Sequence, residues 1–281
     1  MGLRINTNIA SLNSQRNLRM NRMNLDKNLE RLSSGFRINR AGDDAAGLAI
    51  SENLRAQIRG LQQAERNAQD GVSLVQVAEG GLQEISNIMI RLRELGVQAA
   101  SDTVGATERK FLSVEFDALL SEIDRIANAT EYNRIPLLNG TAAVFDIQVG
   151  TRNNPNIDRL TFFDTSSADV NVVALGLNLA SINDKTSAQN SLSAVDTAIM
   201  SVAAIRADFG AMQNRLQSVI NNIAISIENM SAANSRIRDT DVASETSELT
   251  KNNILMQAGT AVLAQANSSV QSALTLLKST G

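Results

Sequence analysis

Histidine and cysteine are both absent from this 281-residue chain. Without cysteine there is no disulfide, no thiol nucleophile and no thiolate metal site. Without histidine the commonest general base and the commonest zinc ligand are missing as well. Aromatic residues make up only 3%, with no Trp and a single Tyr, Tyr132. Cores must then be built from Leu, Ile, Val and Ala, which suits slender helix-on-helix packing more than deep ligand pockets. A net charge of −3 leaves no basic footprint for nucleic acid. The longest apolar run falls well short of a membrane span. Residues Met1 to Asn6 lack the apolar core and cleavage site of an ordinary signal peptide.

What the chain does have is hydrophobic residues at 43%, arranged with helical periodicity. Near the C-terminus Leu255, Gly259, Val262, Ala266, Val270, Ala273 and Leu277 recur at steps of four and three. Near the N-terminus Ile5, Ile9 and Leu12 begin a similar row, and Leu18, Leu25, Leu29 and Leu32 continue it on a shifted face. Such spacing keeps apolar groups along one side of a helix. An isolated helix with an exposed stripe is marginal in water, so the two ends are expected to pair with each other and with other copies.

Between the ends the pattern stays helical. A first helix is predicted from about Asn6 to Leu32, broken by Ser33-Ser34-Gly35, with a connector from Arg37 to Gly42. Asp43 and Asp44 stand where they could cap the next helix. From there to about Ala100, Leu61, Ala64, Ala68, Gly71, Val75, Ala78, Leu82, Ile85, Met89, Leu92, Gly96 and Ala99 form a heptad-like seam. A continuous helix of roughly 55 residues would be ~80 Å long, which argues for a rod. A turn at Ser101 to Gly105 leads to a helix carrying Leu112, Phe116, Leu119, Ile123 and Ile126, antiparallel to its predecessor because the link is short. Val144 to Val149 and Leu160 to Phe163 read as the strands of a hairpin, the one β signal in the chain. After a Ser/Asn/Asp-rich patch a third long helix begins near Ser187, with Arg206 and Gln213 interrupting its stripe, and a loop at Arg238 to Asp241 leads to the last helix. The predicted fold is mainly α: a long antiparallel helical bundle or coiled-coil rod with one small β-hairpin region and paired terminal helices.

No Gly-rich phosphate loop, HExxH or CxxC is present. The nearest approach to paired carboxylates is Asp43-Asp44 or Asp239 with Asp241, and a carboxylate-dependent hydrolase would have to use them. Capping beside a connector explains the same residues, and adjacent acids lie on different sides of a helix. Composition and motifs therefore predict no catalysis, no cofactor and no metal.

Two longer motifs are more specific. The run from Arg31 through Leu32-Ser33-Ser34-Gly35 to Ala49-Ile50-Ser51, continuing through Gly60 to Gly71 and Val77 to Gly80, resembles the N-terminal signature of bacterial flagellins. Ser235 to Asp241 and Ile254 to Asn267 resemble the C-terminal signature. The resemblance implies a structural subunit that polymerises into the flagellar filament for motility, outside the cell and exported unfolded through the growing organelle. It implies an inner filament-core domain at 1–43 and 238–281, and a rod-like domain at 44–237 with its hairpin at about 136–165. The short central region implies a two-domain form without inserted surface domains. The subunit interface would lie on the terminal helices at Ile5, Ile9, Leu12, Leu18, Leu25, Leu29, Leu32, Leu255, Val262, Ala266, Val270, Leu274 and Leu277.

The resemblance also implies partners beyond copies of the chain, namely a flagellar export chaperone on the C-terminal helix and cap and hook-junction proteins. Ile90 to Gln98 is similar to the stretch that a vertebrate innate immune receptor recognises. It implies contacts at Arg91, Leu95, Gln98 and Glu115, with Arg91 and Glu115 as charged anchors around Leu95. A hook–filament junction protein of the same architecture is the alternative reading.

Overall fold

The computed structural model describes residues 7–141, 144–161 and 168–279, side chains excepted at 270 and 273–279. The elements are α1 (Ile9–Ser34), α2 (Ala45–Ala100), α3 (Ala106–Ala129), β1 (Glu131–Tyr132), β2 (Ile135–Pro136), β3 (Asp146–Gln148), β4 (Arg159–Thr161), α4 (Lys185–Arg238) and α5 (Val242–Ser279). The fold is mainly α, as the periodicity predicted. The chain divides into two compact units, Met1–Ala56 with Asn229–Gly281, and Gln57–Glu228. The unit boundaries fall inside α2 and α4.

In the unit Gln57–Glu228, the predicted α2 seam is the core. Ala64, Ala68, Val75, Ala78, Leu82, Ile85, Met89, Leu92 and Ala99 are all buried. They meet Phe116, Ile123 and Ala127 of α3, and Val195, Ala198, Val202, Phe209, Leu216 and Ile223 of α4. Small residues along the seam let α4 and the strand β3 approach. At Gly96 an added Cβ would lie 3.0 Å from Leu192 Cδ2, and at Gly71 it would overlap Ile147 Cδ1. The helix directions follow from the ion pairs. Glu79 and Arg93 along α2, and Asp102 just past its end, meet Arg206, Asp196 and Lys185, in falling order, along α4, so the two run antiparallel. Arg206, which interrupts the apolar stripe, is thereby paired at 3.7 Å with Glu79.

Among the described residues the expected hairpin is present and a second, shorter one accompanies it. β3 and β4 pair antiparallel, with Ile147 opposite Leu160. This is the predicted hairpin, although its ends at Phe162 and Phe163 lie outside the described residues. A shorter hairpin, β1–β2, precedes it. Its turn residues Asn133 and Arg134 have φ of 50° and 65°, and an Arg in that region gives no turn signature. The segment read as a polar patch is also more than a linker. Val170, Val172, Leu175, Leu177 and Ile182 are buried against the core, and the Val172 amide donates to Asp124 of α3 at 2.8 Å.

Candidate assembly interface

In the other unit, α1 and α5 pair antiparallel. The Asn8 amide donates to the Ala266 carbonyl at 2.9 Å, Leu18 lies against Gly259, and Arg31 Nη1 is 3.6 Å from Glu245. The α1 helix starts because the Asn8 side chain accepts from the Ser11 amide at 3.0 Å. It ends at Gly35, whose φ of 73° closes a left-handed cap with its N–H on the Arg31 carbonyl. On α1 the covered face is Ser11, Ser14, Leu18, Asn21, Leu25, Asn28 and Leu32; on α5 it is Glu245, Leu249, Asn252, Met256, Gly259, Leu263 and Ala266. Both sets advance by alternating steps of three and four, the spacing of a coiled-coil seam.

This pairing divides the residues predicted for the interface. Leu18, Leu25, Leu32 and Ala266 face the partner helix within the subunit. Ile9, Leu12, Leu29, Leu255 and Val262 do not, and are 63%, 58%, 49%, 41% and 57% exposed. Ile5, and the side chains of Val270, Leu274 and Leu277, lie outside the described residues. Met20, Met23 and Ile254 extend the exposed apolar set. The helix pair thus satisfies one face internally and leaves a second apolar face in water. A single chain gains nothing from that second face.

The two connectors that join this helix pair to α2 and α4 are stitched to one another. Phe36 and Asp239 form an antiparallel bridge, the Arg37 amide donates to the Arg238 carbonyl at 2.7 Å, and the Thr240 amide donates to the Gly35 carbonyl at 3.0 Å. The Arg238 guanidinium lies 4.6 Å from the Phe36 ring centroid and donates to Glu52 at 2.7 Å. The Arg238 hydrogen bond holds the Glu52 carboxyl below its ordinary range.

The acidic pairs are structural. Asp44 caps α2 by accepting from the Gly47 amide at 2.8 Å, as predicted. Asp43 instead pins the connector. It lies 2.7 Å from Lys27 Nζ and accepts from the amides of Asn39 and Arg40. The Lys27 hydrogen bond leads in pulling its pKa down to about 2, too acidic for a useful general base near neutral pH. Asp241 caps α5 through the amides of Ala243 and Ser244, while Asp239 is exposed. No group of three or more potential metal ligands occurs among the described residues. No described helix is long and apolar enough to cross a membrane.

The residues aligned with receptor recognition separate in depth. Arg91 and Glu115 form a surface ion pair at 2.8 Å, with Glu94 as a second partner. Glu115 first and Glu94 second hold the Arg91 pKa above its ordinary value. Gln98 is exposed. Leu95, read as the centre of that patch, is only 1% exposed and packs in the core, three residues after Leu92 and four before Ala99 on the buried side of α2.

Sequence reading missed the polar residues inside the terminal pair: Ser11, Asn28, Glu245 and Asn252 are all buried, and Asn21 is half-buried beside them. It looked for apolar repeats, and these are the positions where the repeat lapses. Asn28, three residues after Leu25 and four before Leu32, was the available signal.

Comparison with known proteins gives a consistent answer. Residues 5–143 match the bacterial flagellin N-terminal helical region, and residues 192–277 the bacterial flagellin C-terminal helical region. The flagellin of Halalkalibacterium halodurans is 46% identical over 98% of this chain and 99% of its own length. The crystal structure of Bacillus cereus flagellin superposes with a TM-score of 0.50 at 34% identity, covering 60% of this chain and 94% of that one. A proposed flagellar hook-associated protein from Vibrio parahaemolyticus gives a TM-score of 0.56, over 70% of this chain and 100% of that one. Its identity is 14%, so the likeness to it is one of fold alone.

Proposed function

Since this chain belongs to the bacterial flagellins, structural rather than enzymatic proteins that polymerise into the flagellar filament, we propose that the α1–α5 pair carries the subunit interface. The observation behind this reading is the second apolar face. Ile9 and Leu12 on α1, with Leu255 and Val262 on α5, remain in water after the two helices have paired. Neighbouring copies would bury that face on addition to a filament end. The segments 1–43 and 238–281 would form the inner filament core, and 44–237 the rod-like outer domain. The hook-junction alternative is the weaker one, because a flagellin shares 46% of the sequence while the hook-associated chain shares only the fold.

On the same reading the chain leaves the cell through the flagellar export apparatus. A chaperone covers the apolar face of α5 before export, and cap and hook-junction proteins meet the same surfaces in the growing filament. Arg91, Gln98 and Glu115 form the exposed part of a contact for a vertebrate innate immune receptor. Leu95 supports it from beneath, and Arg91→Ala should lower receptor activation without changing assembly. Seeded growth tests the assembly reading. Removal of Met1 to Leu32, or of Arg238 to Gly281, should leave a soluble helical protein that adds to no filament. Elongation of either truncated chain would defeat the proposal.

A further inference from the structure

A groove of about 370 Å³ opens in the unit Gln57–Glu228, where the two hairpins meet α2. Leu74 and Ile147 give it an apolar wall, Tyr132 and Phe145 line it with aromatic rings, and Asp70 of α2 and Asp146 of β3 bring two carboxylates. The walls are held in place. The Asn67 amide donates to the Gln148 carbonyl at 3.0 Å, and Ile147 occupies the notch that the missing side chain of Gly71 leaves on α2. Tyr132 and Phe145 are half-buried, while Asp70 and Asp146 are exposed. Neither acid forms an ion pair among the described residues. Arg134, in the adjacent turn, is exposed and pairs with neither.

Aromatic rings attract cations at their faces, and carboxylates hold a guanidinium through charge-assisted hydrogen bonds. The apolar wall suits the methylene stem of an arginine. A neutral or anionic occupant would leave two negative charges facing it without compensation. We propose that this groove receives an arginine side chain from a neighbouring copy of the chain. The same unit carries such groups. Arg59, Arg152 and Arg215 are exposed, form no ion pair among the described residues, and do not line the groove. Groove and arginine therefore lie at different places on one chain, and the contact joining them is head-to-tail. Copies joined in that way leave a groove open at one end and an arginine at the other, so growth continues without closing. An open polymer of that kind is what a filament subunit forms. The contact belongs to the unit Gln57–Glu228 and does not depend on the α1–α5 face carrying an interface.

The chain has no Trp and Tyr132 is its single tyrosine, so tyrosine emission reports on the groove alone. The full-length monomer, at low salt, is titrated with N-acetyl-arginine amide, and with the neutral N-acetyl-citrulline amide as control. The expected result is a saturable change in Tyr132 emission with the arginine probe and none with citrulline. Asp70→Asn together with Asp146→Asn should weaken that binding about tenfold, because each exposed pair is a modest one. Both acids are exposed, so the double variant should melt with the unsubstituted chain. Filaments grown on seeds should not respond to the probe, since each groove is already filled. No saturable response in the monomer, an equal response to citrulline, or undiminished binding by the double variant would overturn the proposal. So would filaments that bind the probe as monomers do, since the groove would then hold a cation but not a neighbour's arginine. The monomer titration needs no assembly, so its failure is distinct from a failure of the α1–α5 reading.

Discussion

Replacing Asp43 with Asn removes one charge from the connector between α1 and α2 while keeping the side chain's size. The carboxylate lies 2.7 Å from Lys27 and accepts from the amides of Asn39 and Arg40. Those partners hold its pKa at about 2, against 3.8 for a free group. Taken at face value, such a shift corresponds to roughly 2.5 kcal/mol of linkage. Lys27 is half exposed, with 46% of its side chain in water, and screened pairs of that kind contribute only about 0.2–1 kcal/mol. The amide bonds survive in Asn, though they weaken on losing their charge. The expected cost of Asp43→Asn is therefore about 1–2 kcal/mol. The sign of the pH dependence follows from the lowered pKa. The stabilisation is complete above pH 3.8 and is lost as pH falls toward about 2. Urea unfolding of both proteins across that range, with hydrogen exchange at the Asn39 and Arg40 amides at neutral pH, measures both quantities. Equal stability at neutral pH, or a gap that persists unchanged below the folded pKa, would refute the argument.

Two further substitutions probe the core and the connectors. Phe116 is fully buried between the helices of its unit. Phe116→Ala should cost about 3–5 kcal/mol, and the melting temperature should drop by about 2–4 °C for each kcal/mol in a domain of this size, read by circular dichroism. Arg238→Ala removes the contacts to Phe36 and Glu52 together. Exchange at the Arg37 and Thr240 amides should then quicken while the α1–α5 pair keeps its helicity.

Much of this architecture could be read from the sequence because it rests on period. The α2 seam from Ala64 to Ala99 repeats so regularly that helix, buried face and partners follow from it. The connectors were legible in the same way, from Gly35 and from the acids before Ala45 and Val242. What escaped was set by contacts distant in sequence. Arg134 adopts a positive φ that no local rule predicts for it, and Val170, Val172, Leu175, Leu177 and Ile182 are buried in the common core rather than by any pattern of their own. Leu95 was read by alignment as a surface contact, although it lies on the buried side of α2 beside Leu92 and Ala99. For the candidate interface, composition found the apolar residues but not how they divide. Leu18 and Leu12 look alike in the sequence; the position of α5 decides that one is used inside the subunit and the other left over. The burial of Asn28 and Asn252 was invisible for the opposite reason, since a polar residue in an apolar repeat reads as a lapse until the facing helix is seen.

The account's central claim is that α1 and α5 use one face for each other and keep a second for neighbouring copies. Seeded filament growth of the full chain carrying Leu12→Ser and Val262→Ser tests it most directly. Both side chains lie on the exposed face, so each exposed substitution should alter subunit stability by no more than about 0.5 kcal/mol. The account predicts unchanged helicity and melting with little or no elongation. Growth at the rate of the unsubstituted chain would contradict it.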